Sequence, residues 1–312
     1  MFMSAQSHRA SRSRSAMLAA CLCILAALPL AAQQSDPVAE WVSLAGIEYR
    51  VDPNIVYKVA NGYEAKLDVY FPRNAGAPRP TVIYIHGGGW TGGTKESSIF
   101  NLLPYLEMGF NAVNVEYRLA RNSLAPAAVE DCRCALRWVI RNAARYQIDT
   151  SKLVVTGHSA GGHLSLMTGI LDPAAGLDNE CPGSEELKVA AVVNFYGITD
   201  VADLLQGPHM QRYAVTWLGS MPDRQAIAKR ASPLTYVRKG LPPILTIHGD
   251  ADTTVPYVHA TRLHKALDGA GVTNELLTIP GAGHGGFNAE QTLKVQRTIA
   301  AFLKKHGLVS GR

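Results

Sequence analysis

Lys152-Leu153-Val154-Val155-Thr156-Gly157-His158-Ser159-Ala160-Gly161-Gly162-His163-Leu164-Ser165-Leu166-Met167 is the stretch from which the architecture is read. The apolar and β-branched run Leu153 to Thr156 reads as a strand buried on both faces, and Ala160 to Ile170 as a closely packed helix. Between them Gly157-His158-Ser159-Ala160-Gly161 matches G-x-S-x-G, a tight strand-to-helix turn in which glycines let the backbone bend and a serine stands exposed. With 28 glycines in 312 residues, chance supplies about 0.1 such matches, so the motif gains meaning only from the strand before it and the helix after it.

The same alternation extends in both directions. Strands are expected at Lys66 to Tyr70, Thr81 to Ile85, Ala112 to Glu116, Leu153 to Thr156, Ala190 to Phe195, Ile244 to Ile247 and Glu275 to Ile279. Helices are expected at Ser97 to Met108, Ala127 to Tyr146, Ala160 to Ile170, Val258 to Leu267 and Glu290 to Lys304. This rhythm implies an α/β fold with a mostly parallel sheet and helices on both faces. No linker divides the chain, so residues 33–312 read as one catalytic domain. Residues 197–241 separate two strands by more than a crossover helix needs and read as a short lid-like, substrate-facing insertion. Ala39 to Tyr63 reads as an edge hairpin or flap.

A second motif, His86-Gly87-Gly88-Gly89-Trp90, follows the run Thr81 to Ile85. Three successive glycines free backbone N–H groups to point into a cavity, the arrangement an acyl-transfer site needs where a carbonyl oxygen becomes an anion. Chance supplies only about 0.007 occurrences of His-Gly-Gly-Gly, and the loop lacks the Lys-Ser/Thr ending of a phosphate loop. A serine hydroxyl needs a base, and the base an orienting carboxylate. Asp252, in His248-Gly249-Asp250-Ala251-Asp252-Thr253-Thr254-Val255-Pro256, and His284, in Gly281-Ala282-Gly283-His284-Gly285-Gly286-Phe287, each follow an expected strand. Ser159, Asp252 and His284 therefore emerge at carboxyl ends of strands, where ligands bind in open parallel sheets. Asp250 is a rival for the acid, with turn formation as its other reading. His86, His158, His163 and His248 read as scaffold histidines. Trp90 and Tyr196 are both candidates to line an acyl pocket, Trp90 as a substrate-binding residue, with core packing the preferred reading of Tyr196.

With these motifs the chain resembles the α/β-hydrolase superfamily, among the bacterial serine esterases that include hormone-sensitive-lipase-like carboxylesterases and feruloyl and acetylxylan esterases. The likeness spans Lys66 to Leu303. It implies the α/β-hydrolase fold, Ser159 as nucleophile, Asp252 as acid, His284 as base, and oxyanion donors at Gly88, Gly89 and Ala160. Preference for Asp252 over Asp250 rests on the family motif that ends in Val255-Pro256. The resemblance also implies a carboxylic ester hydrolase with no cofactor, acting on small-molecule or polysaccharide-linked acetyl or feruloyl esters. Two other readings stand beside it: an amidase or formamidase of the kynurenine formamidase type, and a hydrolase fold used only for binding.

The chain is 47% hydrophobic and 18% charged, with a formal net charge of +5. That composition excludes a disordered chain. Three of the arginines, Arg9, Arg12 and Arg14, precede an apolar run from Ala16 to Ala32, so residues 1–32 read as a cleaved signal peptide. A retained membrane anchor and a lipidated Cys21 are the alternatives. The mature chain, at about +2, has no basic cluster suited to nucleic acid and no further span suited to a membrane, and is expected outside the cytoplasm. The ten histidines of the full sequence show no metal-ligand spacing, so no metal is expected. Of Cys132, Cys134 and Cys181, helical spacing buries Cys132 and turns Cys134 about 200° away. Either Cys134 pairs with Cys181 or all three thiols are free.

Overall fold

The computed structural model describes residues 46–74 and 76–309, and the expected signal peptide at 1–32 lies outside them. Eight strands form one sheet in the order β1-β2-β4-β3-β5-β6-β7-β8. They are β1 (Tyr49–Ala60), β2 (Tyr63–Pro72), β3 (Arg79–Ile85), β4 (Asn111–Val115), β5 (Ile148–His158), β6 (Ala191–Phe195), β7 (Ile244–Gly249) and β8 (Asn274–Ile279). From β4 to β8 in that order neighbours are parallel, whereas β1 pairs antiparallel with β2 and β2 with β4. The first hairpin turns on Asn61-Gly62, with φ of 50° and 77°, the two-residue geometry that asparagine and glycine adopt most readily. Every expected strand is present, and the described part of the Ala39 to Tyr63 stretch supplies the edge hairpin.

Period-two alternation divides the strand side chains between two cores. On one face Ile83, Ile85, Val113, Val115, Val155 and Val192 meet α2 (Ala127–Arg141) and α3 (Ala160–Ile170). On the other, Val82, Tyr84, Ala112, Val154, Val193 and Leu245 meet α1 (Leu103–Glu107) and the last helix, Ala289–Lys305. This is the α/β-hydrolase arrangement expected from the resemblance.

Two helices differ from expectation. The helix expected over Ser97 to Met108 is a 3₁₀ stretch, Lys95–Leu102, followed by α1, because Pro104 lacks the N–H that would continue an α-helical ladder and instead begins one. The helix expected to reach Tyr146 stops at Arg141, where the Asn142 side-chain amide turns back to donate to Trp138 O at 2.8 Å. Residues 197–241 carry α4 (Arg212–Leu218) and α5 (Arg224–Arg230). Their Leu204, Trp217, Leu218 and Ala228 are buried in the same core as α3, so the insertion is anchored against the body. The remaining helices are α6 (Val258–Gly269) and α7 (Ala289–Lys305). An Asn288–Gln291 capping box opens α7. None of the described helices is long and apolar enough to cross a membrane.

Of the cysteine arrangements left open, the structure has Cys134 bonded to Cys181 and Cys132 buried as a thiol on the other side of α2. The bridge fixes the segment between α3 and β6 to α2. Bidentate pairing of Arg133 with Asp178 and contacts of Arg137 and Arg141 with Glu185 support the same attachment.

Four buried histidines give the fold a defined acid sensitivity. Burial lowers His86, His158, His163 and His259 from the ordinary 6.5 to about 4 each. Between those values the unfolded chain takes up protons that the native state refuses, so stability is full above pH 6.5 and falls as pH drops toward 4. The thermal midpoint should therefore decline steeply across that window, and a midpoint unchanged from pH 7 to 4.5 would contradict this.

Candidate active site

The turn between β5 and α3 is tight because the chain reverses over the end of β3. Ser159 sits at φ 58°, ψ −119°, a strained conformation for a residue with a side chain, costing about 1–3 kcal/mol. It is held by hydrogen bonds on both sides, Ser159 N to Phe195 O and His163 N to Ser159 O, each 2.9 Å. A Cβ on Gly157 would lie 2.3 Å from Ile85 O, and one on Gly161 only 2.1 Å from the same oxygen. Glycine is required at both places, which is the physical content of the motif.

Beside this turn the His86–Trp90 loop leaves β3. Gly88 and Gly89 have φ of 114° and 57°, and the Gly88 carbonyl accepts from Thr91 N and Gly92 N at 3.1 and 3.0 Å. The backbone N–H groups of Gly88, Gly89 and Ala160 find no acceptor among the described residues, which leaves them available to an anion. Gly88 and Gly89 also line a 320 Å³ pocket together with His158, Ser159, Tyr196, Tyr213, Thr254 and His284.

Ser159, Asp252 and His284, distant in sequence, meet at this pocket. His284 Nε2 is 2.8 Å from Ser159 Oγ, and His284 Nδ1 is 2.7 Å from Asp252 Oδ2. The other carboxylate oxygen accepts from Thr254 N and Val255 N at 2.8 and 2.9 Å. Burial alone would raise the Asp252 carboxyl, but hydrogen bonds from His248, His284 and the Val255 N–H more than reverse this and hold it well below the usual carboxylate range. Asp250 instead accepts from Gly281 N at 2.7 Å and so braces the His284 loop. A hydroxyl, a base able to take its proton, a charge to hold the resulting imidazolium and N–H donors for an oxyanion together suit acyl transfer. The described residues hold no group of three or more His, Cys, Asp or Glu side chains suited to a metal ion.

One expectation about the pocket wall needs correction. Trp90 is fully buried and does not line the pocket. The positive φ of Trp90 turns its ring under the loop, where it stacks on Trp217 at 4.1 Å and donates to His163 Nδ1 at 3.2 Å. Tyr196 fills both roles considered for it, packing in the core and facing the pocket. It is nearly buried, yet its ring packs 4.6 Å from that of His284 and lines the pocket. Tyr213, unremarked in the sequence, comes from the 197–241 insertion, touches the place a Gly89 side chain would occupy and donates to Thr254 O at 2.9 Å. Nothing local in the sequence marks that contact, because it joins residues some 120 positions apart. His86 and His163 are scaffold residues as expected: His86 stacks on Tyr117, and His163 Nε2 donates to Ala231 O at 2.6 Å. His158 is more exposed to the pocket, with Nδ1 engaged by the Tyr84 hydroxyl at 2.6 Å.

The sequence model of the BD-FAE family matches residues 67–267. The chain belongs to the BD-FAE family. Esterase LipC of Mycobacterium tuberculosis is 29% identical over 237 residues, 73% of this chain and 59% of LipC, so the chain spans about three fifths of that curated relative. The apo form of Thermogutta terrifontis esterase 2 superimposes with a TM-score of 0.71 at 27% identity, covering 85% of this chain and 97% of that one. A truncated carbohydrate esterase from gut microbiota gives 0.68 at 28% identity, covering 81% and 95%. These likenesses make the BD-FAE chain an α/β-hydrolase.

Because Trp90 supports the glycine loop from beneath, Trp90→Ala should cost about 3–5 kcal/mol of stability. Urea denaturation measures this, and a loss under 1 kcal/mol would return Trp90 to the surface of the pocket.

Proposed function

We propose that this chain is a serine esterase that hydrolyses carboxylic esters through an acyl-enzyme intermediate. The observation that carries the reading is a single imidazole engaged at both ends, by Ser159 Oγ at 2.8 Å and by Asp252 Oδ2 at 2.7 Å. Ser159 Oγ attacks the ester carbonyl carbon as its proton passes to His284 Nε2, and Asp252 holds the imidazolium. The carbonyl oxygen, now an alkoxide, takes the N–H groups of Gly88, Gly89 and Ala160, each contributing about 3 kcal/mol to the transition state. Collapse breaks the bond to the leaving oxygen, which receives the proton from His284. Water then repeats the sequence on the acyl-serine and releases the acid.

The substrate we assign is an ester of a small acyl or aromatic acid, acetyl or feruloyl, on a hydroxyl-rich alcohol such as a sugar or polysaccharide. The 320 Å³ pocket walled by Tyr196 and Tyr213 suits such an acyl group. Thermogutta terrifontis esterase 2 has structures with propionate and with butyrate bound, which favours the small acyl end of that range. A second recess of 460 Å³ adjoins through Gly88, His158 and Tyr196, and Tyr84, Ser97, Ser98 and Asn101 supply it with polar groups. The gut carbohydrate esterase among the structural relatives supports a hydroxylated partner there. We further assign the protein to an exported location, on the signal-peptide pattern at 1–32 and the Cys134–Cys181 bridge, which suits an oxidising compartment.

Kinetics on a panel running from p-nitrophenyl acetate through feruloyl esters to acetylated xylan test this reading. Ser159→Ala should lower turnover at least about 10³-fold and Asp252→Asn about 10⁴-fold, and a fluorophosphonate should label the wild type but not Ser159→Ala. Near-normal turnover by the alanine variant would overturn it.

A further inference from the structure

His248 is fully buried one residue before the end of β7, in direct contact with the carboxylate that serves His284. Its Nε2 faces two acceptors, Val255 O at 2.9 Å and Asp252 Oδ2 at 3.2 Å. A nitrogen between two acceptors must carry the hydrogen, so the ring is the Nε2–H tautomer. Its Nδ1 is buried without a hydrogen-bond partner. The arrangement is unusual in one respect: the His248 N–H, given to Val255 O, also stands 3.2 Å from the Asp252 oxygen that His284 engages.

That proximity has two consequences. With Thr254 N and Val255 N on Oδ1 and His284 on Oδ2, the close approach of His248 Nε2 puts a fourth N–H beside the carboxylate and opposes its rotation away from His284. It also draws off part of the negative charge that Oδ2 would otherwise offer an imidazolium at His284. Hydrogen bonds to a carboxylate stabilise its charge and weaken its pull on other partners.

We propose that His248 is a positioning residue for the esterase site, an N–H group that locks Asp252 in the orientation that serves His284 and takes up part of the charge its Oδ2 presents to that ring. The proposal rests on the roles given above to Asp252 and His284. The other groups facing His284 are Ser159 from the β5–α3 turn, Tyr196 from the end of β6, and His158, whose burial-lowered titration is further depressed by His284. Those facing His248 are Asp252, Tyr196 at 6.3 Å, Tyr257 at 5.6 Å, and His259 from α6 through space. None of these others donates to Asp252 Oδ2, so the modulation belongs to His248.

Nitrogen-15 histidine NMR of the full chain tests this without relying on turnover. In the wild type His248 should stay neutral and protonated at Nε2 across the range in which His284 titrates. A tautomer protonated at Nδ1, or titration in step with His284, would overturn the proposal even if no variant folds. His248→Leu removes the donor and should raise the His284 midpoint by roughly half to one pH unit, with the acid limb of kcat/KM moving equally. His248→Gln returns an N–H near the same place and should restore the wild-type midpoint. An unchanged midpoint in the leucine variant overturns the role of His248. A raised midpoint without a matching move in the acid limb overturns instead the assignment of His284 as base.

Discussion

At the ends of β3 and β5 the two backbones approach so closely that hydrogen fits and a methyl group does not. Ile85 O occupies the space that side chains on Gly157 and Gly161 would need. The rest of the site depends on this contact. It allows β5 to turn straight into α3 with Ser159 at the apex, and it sets the loop leaving β3 beside that serine, so that the N–H groups of Gly88, Gly89 and Ala160 border one space. The strain at Ser159 is tolerated because Phe195 O and His163 N hold the turn from either side.

Further out, polar contacts between elements distant in sequence fix the walls. His163 on α3 links Trp90 beneath the glycine loop to Ala231 in the insertion, so nucleophile helix, anion loop and insertion share one imidazole. Tyr213 and Gln211 of the insertion bond to Thr254 O and Thr253 O, which ties it to the loop bearing Asp252. Asp252 itself is surrounded by donors, so its charge persists and its orientation is settled before any ligand arrives. Preorganisation of this kind is what lets a site stabilise a developing charge without reorganising at the moment of reaction.

Local signals carried much of this. The seven strands followed from apolar runs bounded by glycine and proline, because burial on both faces leaves a continuous pattern that little else produces. The glycine loop and serine turn were legible because their conformations admit only glycine at certain positions. The 3₁₀ stretch before α1 was misread as α-helix because apolar spacing over eight residues does not separate the two, and Pro104 acts on the ladder rather than on the pattern. Trp90 was misplaced because adjacency to a functional loop says nothing about which way a ring turns when its own φ is positive.

The fold, the strand-end positions of Ser159, Asp252 and His284, and the glycines that let two backbones touch can be read from residue order, since all of these arise from constraints within a few residues. The tertiary structure alone decided that Asp252 faces His284 while Asp250 braces the neighbouring loop, that Tyr196 and Tyr213 wall the pocket, that Cys134 joins Cys181, and that His248 stands beside the oxygen His284 engages. Each of those is a matter of direction and distance between segments far apart in the chain, which residue type and spacing leave open.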